Sequence, residues 1–100
     1  CYAQSFAAGK PIETATANTF ADGMAVRVPV PAALEVIRAG SDRIVRVSDD
    51  EVKAAVCHYY SDTHNLVEGA GAAPLAALLK DRQRKGGRFA VIASGGNIDR

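Results

Sequence analysis

Val52, Ala55, Val56 and Tyr59 recur at i, i+3, i+4 and i+7, the spacing that lines one face of an α-helix with apolar groups. Ser48-Asp49-Asp50-Glu51 stands just before them and reads as a capping box. In that motif the serine hydroxyl accepts the amide three residues on, and the glutamate reaches back to the serine amide. The stripe predicts a helix running to about Asp62. Leu75, Leu78 and Leu79 form a second apolar face and predict an alanine-rich helix from about Gly71 to Arg82. Its leucines should point inward, with Pro74 tolerated in the first turn. Tyr2, Ala3, Phe6 and Ala7 fall at helical spacing before Gly9, and read as the tail of a helix that starts ahead of Cys1. Pro31 opens a further helix, with Leu34 and Ile37 on one face and Gly40 closing it.

The other apolar runs have a different rhythm. Arg43-Ile44-Val45-Arg46-Val47 and Phe89–Ala93 are short and apolar, the first of them β-branched, and predict two strands. Val26–Val30 alternates but is interrupted by Pro29 and followed by Pro31, which argues against a central strand. Residues 11–22 lack any period and read as loop, and an Asp22-Gly23 turn signal follows. Residues 66–71 read as a small-residue turn, and 82–88 as a basic, glycine-containing loop. Strands joined by helical crossovers are parallel, and parallel sheets need helices on both faces. The expected class is therefore α/β, with more sheet supplied by other sequence or by a second copy.

Composition narrows the partners. The chain has 100 residues, enough for about one small domain, and a net charge of +1. Such a balance gives no field that would draw nucleic acid or an anionic membrane. Arg82, Arg84, Lys85 and Arg88 cluster without interleaved aromatics and read as a solvated loop. No apolar run approaches the roughly 18 residues of a membrane span. The two cysteines, Cys1 and Cys57, are too few for a disulfide scaffold and point to a reducing, cytosolic setting. With no signal-peptide pattern, the N-terminus reads as trimmed rather than processed for export. His58 and His64 fall on different helix faces and, even with Cys57, make no metal-ligand spacing, so no metal is expected. No G-x-S-x-G elbow supports a serine nucleophile.

The candidate chemistry lies at the end of the chain. Val91–Asp99 reads as a strand that breaks into a glycine turn with Ser94 at its tip. In open α/β sheets ligands bind beyond the carboxyl ends of strands. Gly95 and Gly96 would let the backbone approach a flat ligand, and Ser94 offers one donor and one acceptor. Glu68-Gly69-Ala70-Gly71 places a carboxylate before a helix N-terminus, where it serves either as a cap or as part of a ligand site.

Taken together, these segments carry a resemblance. Ser5-Phe6-Ala7-Ala8-Gly9-Lys10, Thr19-Phe20-Ala21-Asp22-Gly23-Met24-Ala25-Val26, Val47-Ser48-Asp49-Asp50-Glu51-Val52, and Glu68-Gly69-Ala70-Gly71-Ala72 with Ser94-Gly95-Gly96-Asn97-Ile98-Asp99 occur in this order. The chain resembles the C-terminal part of the threonine dehydratases (threonine ammonia-lyases). These belong to the fold-type II, tryptophan-synthase-β-like pyridoxal-phosphate enzymes. The resemblance implies a three-layer α/β/α parallel-sheet domain, with residues 1–100 an incomplete, C-terminal part of the large, cofactor-binding domain. It implies that Ser94 bonds the pyridine nitrogen of pyridoxal 5'-phosphate, that Glu68 lies near the ring, that Gly23 approaches it by its backbone, and that Asp22 positions that turn. A neutral hydroxyl leaves the ring nitrogen unprotonated, which favours β-elimination over transamination. The implied activity is deamination of a 2-amino-3-hydroxy acid to a 2-oxo acid and ammonia. Its setting would be a cytoplasmic homo-oligomer of amino-acid metabolism, such as isoleucine biosynthesis.

Some family features are missing from these residues. Lys10, Lys53, Lys80 and Lys85 lack the context of the family's Schiff-base lysine, and the four-glycine phosphate cradle is absent. The family's metal ligands, where it has them, mostly lie ahead of Cys1. The chain alone is therefore expected to hold no catalytic residue, no tightly bound cofactor and no dehydratase activity. Alternative readings are a serine-racemase-like enzyme or another hydroxy-amino-acid lyase, a non-catalytic small α/β binding module, and a dimer that completes a shared sheet.

Overall fold

The computed structural model describes residues 1–81 and 86–98. The ordered elements are α1 (Tyr2–Ala8), a 3₁₀ turn (Asp22–Met24), α2 (Pro31–Gly40), α3 (Asp49–Thr63) and α4 (Gly69–Lys80). Two compact units form: Cys1–Thr19 with Ala25–Arg46, and Phe20–Met24 with Val47–Arg100.

In the first unit, α1 stops at Gly9, whose φ of 72° is a left-handed conformation that glycine adopts without steric cost. Ser5 is fully buried. Its hydroxyl accepts the Ile12 amide at 2.8 Å and donates to the Ile12 carbonyl at 3.3 Å, which fixes the chain leaving the helix. Pro31 sits in the first turn of α2, where its missing amide costs nothing, and Leu34 is the buried contact of that helix. Arg38 donates to the Gly9 carbonyl at 2.9 Å, and the Tyr2 hydroxyl accepts the Val30 amide at 3.0 Å. These bonds join α1 to α2.

The second unit is built on α3 packed against α4. Both halves of the capping box form: the Glu51 amide donates to the Ser48 hydroxyl at 3.2 Å, and the Ser48 amide to the Glu51 carboxylate at 2.7 Å. Lys80 donates to the same carboxylate at 3.0 Å, tying the start of α3 to the end of α4. The core is Val52, Ala55, Val67, Ala72, Ala73 and Ala76, with Val56, Tyr59 and Leu75 packed around it. The predicted stripe of α3 thus faces the core as expected. His64 ends α3 with a φ of 56°.

Two expectations are corrected. First, α4 begins at Gly69, so Pro74 lies inside the helix and not in its first turn. The ring removes the amide that would bond the Ala70 carbonyl, a cost of about 3 kcal/mol that packing must offset. Second, the inward face of α4 is Ala72, Ala73 and Ala76, whereas Leu79 is 54% exposed and Leu75 sits at the rim. Ala55 is fully buried on the facing helix. Such small residues let the two backbones come close, and leucines do not fit between them. The two predicted strands are not seen: no β-strand forms among the described residues, where Arg43–Val47 and Phe89–Ala93 build no ladder. Strand pairing needs a second row of amides and carbonyls at a matching register. Propensity alone does not supply one. Of the predicted basic loop, residues 82–85 lie outside the described residues.

Candidate functional site

The candidate residues meet in the second unit, where residues 94–98 turn back onto the start of α4. Glu68 is the N-cap of α4 in extended backbone conformation, but its side chain makes no bond to that helix. Its carboxylate accepts the Asn97 amide at 3.1 Å, and its own amide donates to the Gly95 carbonyl at 3.0 Å. The Ile98 amide closes on the Gly96 carbonyl at 3.0 Å. Of the two roles read for Glu68, the capping position is occupied, but the carboxylate caps the turn instead of the helix.

The glycines here admit the chain's own atoms. A Cβ on Gly95 would lie 2.8 Å from the Glu68 carboxyl carbon, and one on Gly96 would lie 2.7 Å from the Leu66 carbonyl oxygen. A Cβ on Gly71 would lie 3.0 Å from the Gly95 carbonyl oxygen. Real Cβ atoms essentially never sit as close as those at Gly95 and Gly96, and the one at Gly71 would be tight, so the chain packs closely on itself at these glycines, where the sequence suggested approach of a flat ligand.

Two clefts flank the turn. One, of about 350 Å³, is lined by Phe20, Asp22, Glu68, Gly69, Asn97 and Ile98. The other, of about 450 Å³, is lined in part by Tyr59, Leu66, Ser94, Gly95 and Gly96. Asp22 and Glu68 therefore share one cleft, while Ser94, an exposed residue, opens on the other. Gly23 lies beside the first: its Cβ position is 3.8 Å from a Glu68 carboxylate oxygen, and its amide donates to Asp22 at 2.8 Å. Asp22 thus holds the turn that brings Gly23 to this edge.

Sequence reading missed Tyr59 and Phe20 as site residues. The apolar stripe places Tyr59 in the core, yet its ring also walls the Ser94 cleft. Its hydroxyl is buried with no hydrogen-bond partner among the described residues. Phe20 covers Gly69, where a Cβ would come within 2.8 Å of the ring. The Phe20 amide donates to Asp49 at 3.3 Å, and the Lys53 ammonium lies 5.6 Å from the ring centroid. No periodicity marks either residue as part of a site, because each reaches it through contacts distant in sequence.

Chemically, the arrangement offers a neutral hydroxyl, a carboxylate and a backbone edge without side chains. The hydroxyl lies on one cleft and the carboxylate and backbone edge on the other, and the hydroxyl has the chemistry of a neutral partner for a heterocycle nitrogen. No lysine lines either cleft among the described residues, so no amine nucleophile is present in them. No group of three or more His, Cys, Asp or Glu is arranged to hold a metal among the described residues. Among the same residues, no helix is long and apolar enough to cross a membrane.

Comparison with known proteins gives a consistent result. The sequence model of a family described as pyridoxal-phosphate dependent enzyme matches residues 1–95. The chain is 41% identical over 92 residues to the L-threonine ammonia-lyase of Geobacter sulfurreducens, covering 91% of this chain and 23% of that protein. It is 37% identical over 100 residues to the catabolic L-threonine dehydratase TdcB of Escherichia coli, covering 97% and 30%. Among solved structures, a T.th. threonine deaminase matches with a TM-score of 0.90 at 30% identity, over 98% of this chain and 35% of that one. Maize serine racemase matches with a TM-score of 0.76 at 36% identity, over 80% and 25%. The chain spans 23–30% of the length of these two curated relatives.

Proposed function

We propose that this chain, which belongs to the family of pyridoxal-phosphate dependent enzymes, forms one wall of the cofactor pocket of a threonine or serine dehydratase. The net reaction is deamination of a 2-amino-3-hydroxy acid to a 2-oxo acid and ammonia: the water lost across Cα and Cβ is regained when the nitrogen leaves by hydrolysis. The observation that carries the reading is the Ser94 turn. An exposed hydroxyl stands at its tip, on a cleft, and the turn is fastened to the start of α4. The named relatives, an L-threonine ammonia-lyase and a threonine deaminase, support the reaction class.

The exposed Ser94 side chain suits the nitrogen of the cofactor's ring. Bound pyridoxal phosphate supplies the electron sink that acidifies the substrate Cα proton. Ser94 would donate a hydrogen bond to the ring nitrogen and keep its proton, so the nitrogen stays unprotonated, which keeps that sink moderate and favours loss of the β-hydroxyl. Glu68 would lie beside the ring. Gly23 would bring its backbone to the ring, on the turn that Asp22 holds. The Schiff-base lysine and the phosphate cradle come from sequence outside these 100 residues, which form the C-terminal part of the cofactor domain. The same reading makes Arg43–Val47 and Phe89–Ala93 strands of a three-layer parallel sheet, completed by strands from that other sequence. Their apolar content and the 77% exposure of Ile92 support it. It also makes the whole enzyme a cytoplasmic homo-oligomer.

A racemase is the second reading, favoured by the likeness to maize serine racemase. One experiment separates the two. The full-length protein carrying this chain, supplied with pyridoxal phosphate, is assayed for 2-oxo acid and ammonia from L-threonine and L-serine, and for D-serine. The dehydratase reading expects 2-oxo acid as the main product. It expects Ser94→Ala to lower kcat/KM by about tenfold, one hydrogen bond's worth. Full activity of Ser94→Ala would overturn the role of Ser94. Main formation of D-serine would overturn the reaction.

A further inference from the structure

An N-cap side chain ordinarily accepts a second or third amide of its own helix. The carboxylate of Glu68 does not; it turns away from α4 and accepts the Asn97 amide at 3.1 Å. The Glu68 amide meanwhile donates to the Gly95 carbonyl at 3.0 Å. One residue therefore holds the segment Gly95-Gly96-Asn97 at both ends, once by backbone and once by side chain. The fit is close as well as bonded. A Cβ on Gly95 would lie 2.8 Å from one Glu68 carboxylate oxygen and 3.1 Å from the other. The carboxyl group rests in space that only a glycine at 95 leaves open.

We infer that Glu68 is a positioning residue. Its carboxylate clamps the turn after Ser94 and so sets where the Ser94 hydroxyl is held. This rests on the role proposed above for Ser94, and it gives Glu68 a task beyond lying near a ring. The clamp needs an acceptor oxygen at this reach and does not need the charge as such. Glu68→Gln keeps an acceptor for the Asn97 amide, and Glu68→Ala removes it. Gly95→Ala drives a methyl group into the carboxyl. Because Glu68→Ala and Gly95→Ala strike one contact, their effects should not add.

The test uses the full-length protein carrying this chain. Two measurements are made on wild type, Glu68→Ala, Glu68→Gln, Gly95→Ala and the double variant Glu68→Ala/Gly95→Ala. The first is hydrogen exchange at the Asn97 amide. Glu68→Ala and Gly95→Ala should each speed it by about tenfold, as expected for loss of one hydrogen bond. Glu68→Gln should restore most of the protection. The second is the visible circular dichroism of bound pyridoxal phosphate, with its binding titration. Glu68→Ala should change the dichroic signal and weaken binding by about tenfold. Glu68→Gln should recover most of both, and the double variant should be no worse than the poorer single one. Unchanged Asn97 exchange in Gly95→Ala or Glu68→Ala overturns the clamp. So does a Glu68→Gln as damaging as Glu68→Ala, or additive losses in the double variant. Should Glu68→Ala fail to fold, Gly95→Ala and Glu68→Gln decide alone. A wild-type protein that takes up no pyridoxal phosphate would defeat the proposed function, while Asn97 exchange still decides the clamp.

Discussion

A methyl group on residue 96 would have to share space with a carbonyl oxygen. Built on the Gly96 backbone, it lies 2.7 Å from the Leu66 oxygen and 3.9 Å from the Leu66 carbonyl carbon. Carbon–oxygen contacts of this kind settle at about 3.3–3.6 Å, so roughly 0.6 Å or more must be found. Leu66 adjoins buried Val67, and α4 begins two residues later, so its carbonyl cannot swing aside freely. Gly96 is not among the glycines with positive φ, so alanine meets no backbone penalty and the cost is steric. Overpacking costs about 1–3 kcal/mol, with the upper part expected against a backbone neighbour, and restriction of the unfolded chain returns about 0.4–1 kcal/mol. Gly96→Ala should therefore lose roughly 2 kcal/mol, about thirtyfold in the folding equilibrium. Urea unfolding measures the stability, and titration with pyridoxal phosphate measures the site two residues from Ser94. Both should weaken. A Gly96→Ala protein with wild-type midpoint and affinity would refute the tight contact between this turn and Leu66.

Gly40→Ala is the opposite case. Nothing lies within 4 Å of the added carbon at this last residue of α2, so a gain of about 0.5–1 kcal/mol is expected in thermal unfolding. Ala55→Leu adds volume at a fully buried position in the α3–α4 core and should cost about 3 kcal/mol by urea unfolding; a loss under about 1 kcal/mol would mean the helices part easily. The Glu51 carboxyl is held below its ordinary value of 4.5, first by the Ser48 amide and then by the Lys80 ammonium. A group whose folded pKa is depressed contributes stability above its unfolded value and loses it as pH falls through the folded one. Stability should thus fall below pH 4.5, and Glu51→Gln should flatten that part of the profile. An unchanged profile in Glu51→Gln would contradict the assignment.

The helices were legible because their signals are local. Ser48 and Glu51 satisfy each other's amides within one turn, Gly9 takes the left-handed cap that ends α1, and Pro31 suits the first turn of α2. The face of α4 was not legible. A hydrophobicity ranking puts Leu75, Leu78 and Leu79 inside, yet the fully buried Ala55 opposite calls for small partners, and Ala72, Ala73 and Ala76 take the interface. Only the spacing between two helices decides between these faces, and no single helix encodes it. The two strands read from the sequence have no ladder here for a related reason. β-propensity expresses fit to a pleated, half-buried surface. Val47 packs against the α3–α4 core, but Arg43–Val47 and Phe89–Ala93 pair with no neighbouring strand among the described residues.

At the candidate site the sequence singled out Ser94, Glu68, Gly23 and Asp22, and the fold brings Asp22, Gly23 and Glu68 to one edge with Ser94 on the next cleft. What the sequence could not supply was the physical reason for the glycines. A glycine pair after a strand-like run marks close approach, but of a ligand and of the chain itself alike. Here Glu68 lies 29 residues before Asn97, and the Leu66 carbonyl faces Gly96. Those contacts fill the space beside both glycines with the chain's own atoms. Ser94, by contrast, is exposed on a cleft that Tyr59 helps to line. Gly95 and Gly96 then act on any ligand through the position of Ser94. Substituting them should disturb binding only as far as it moves that hydroxyl.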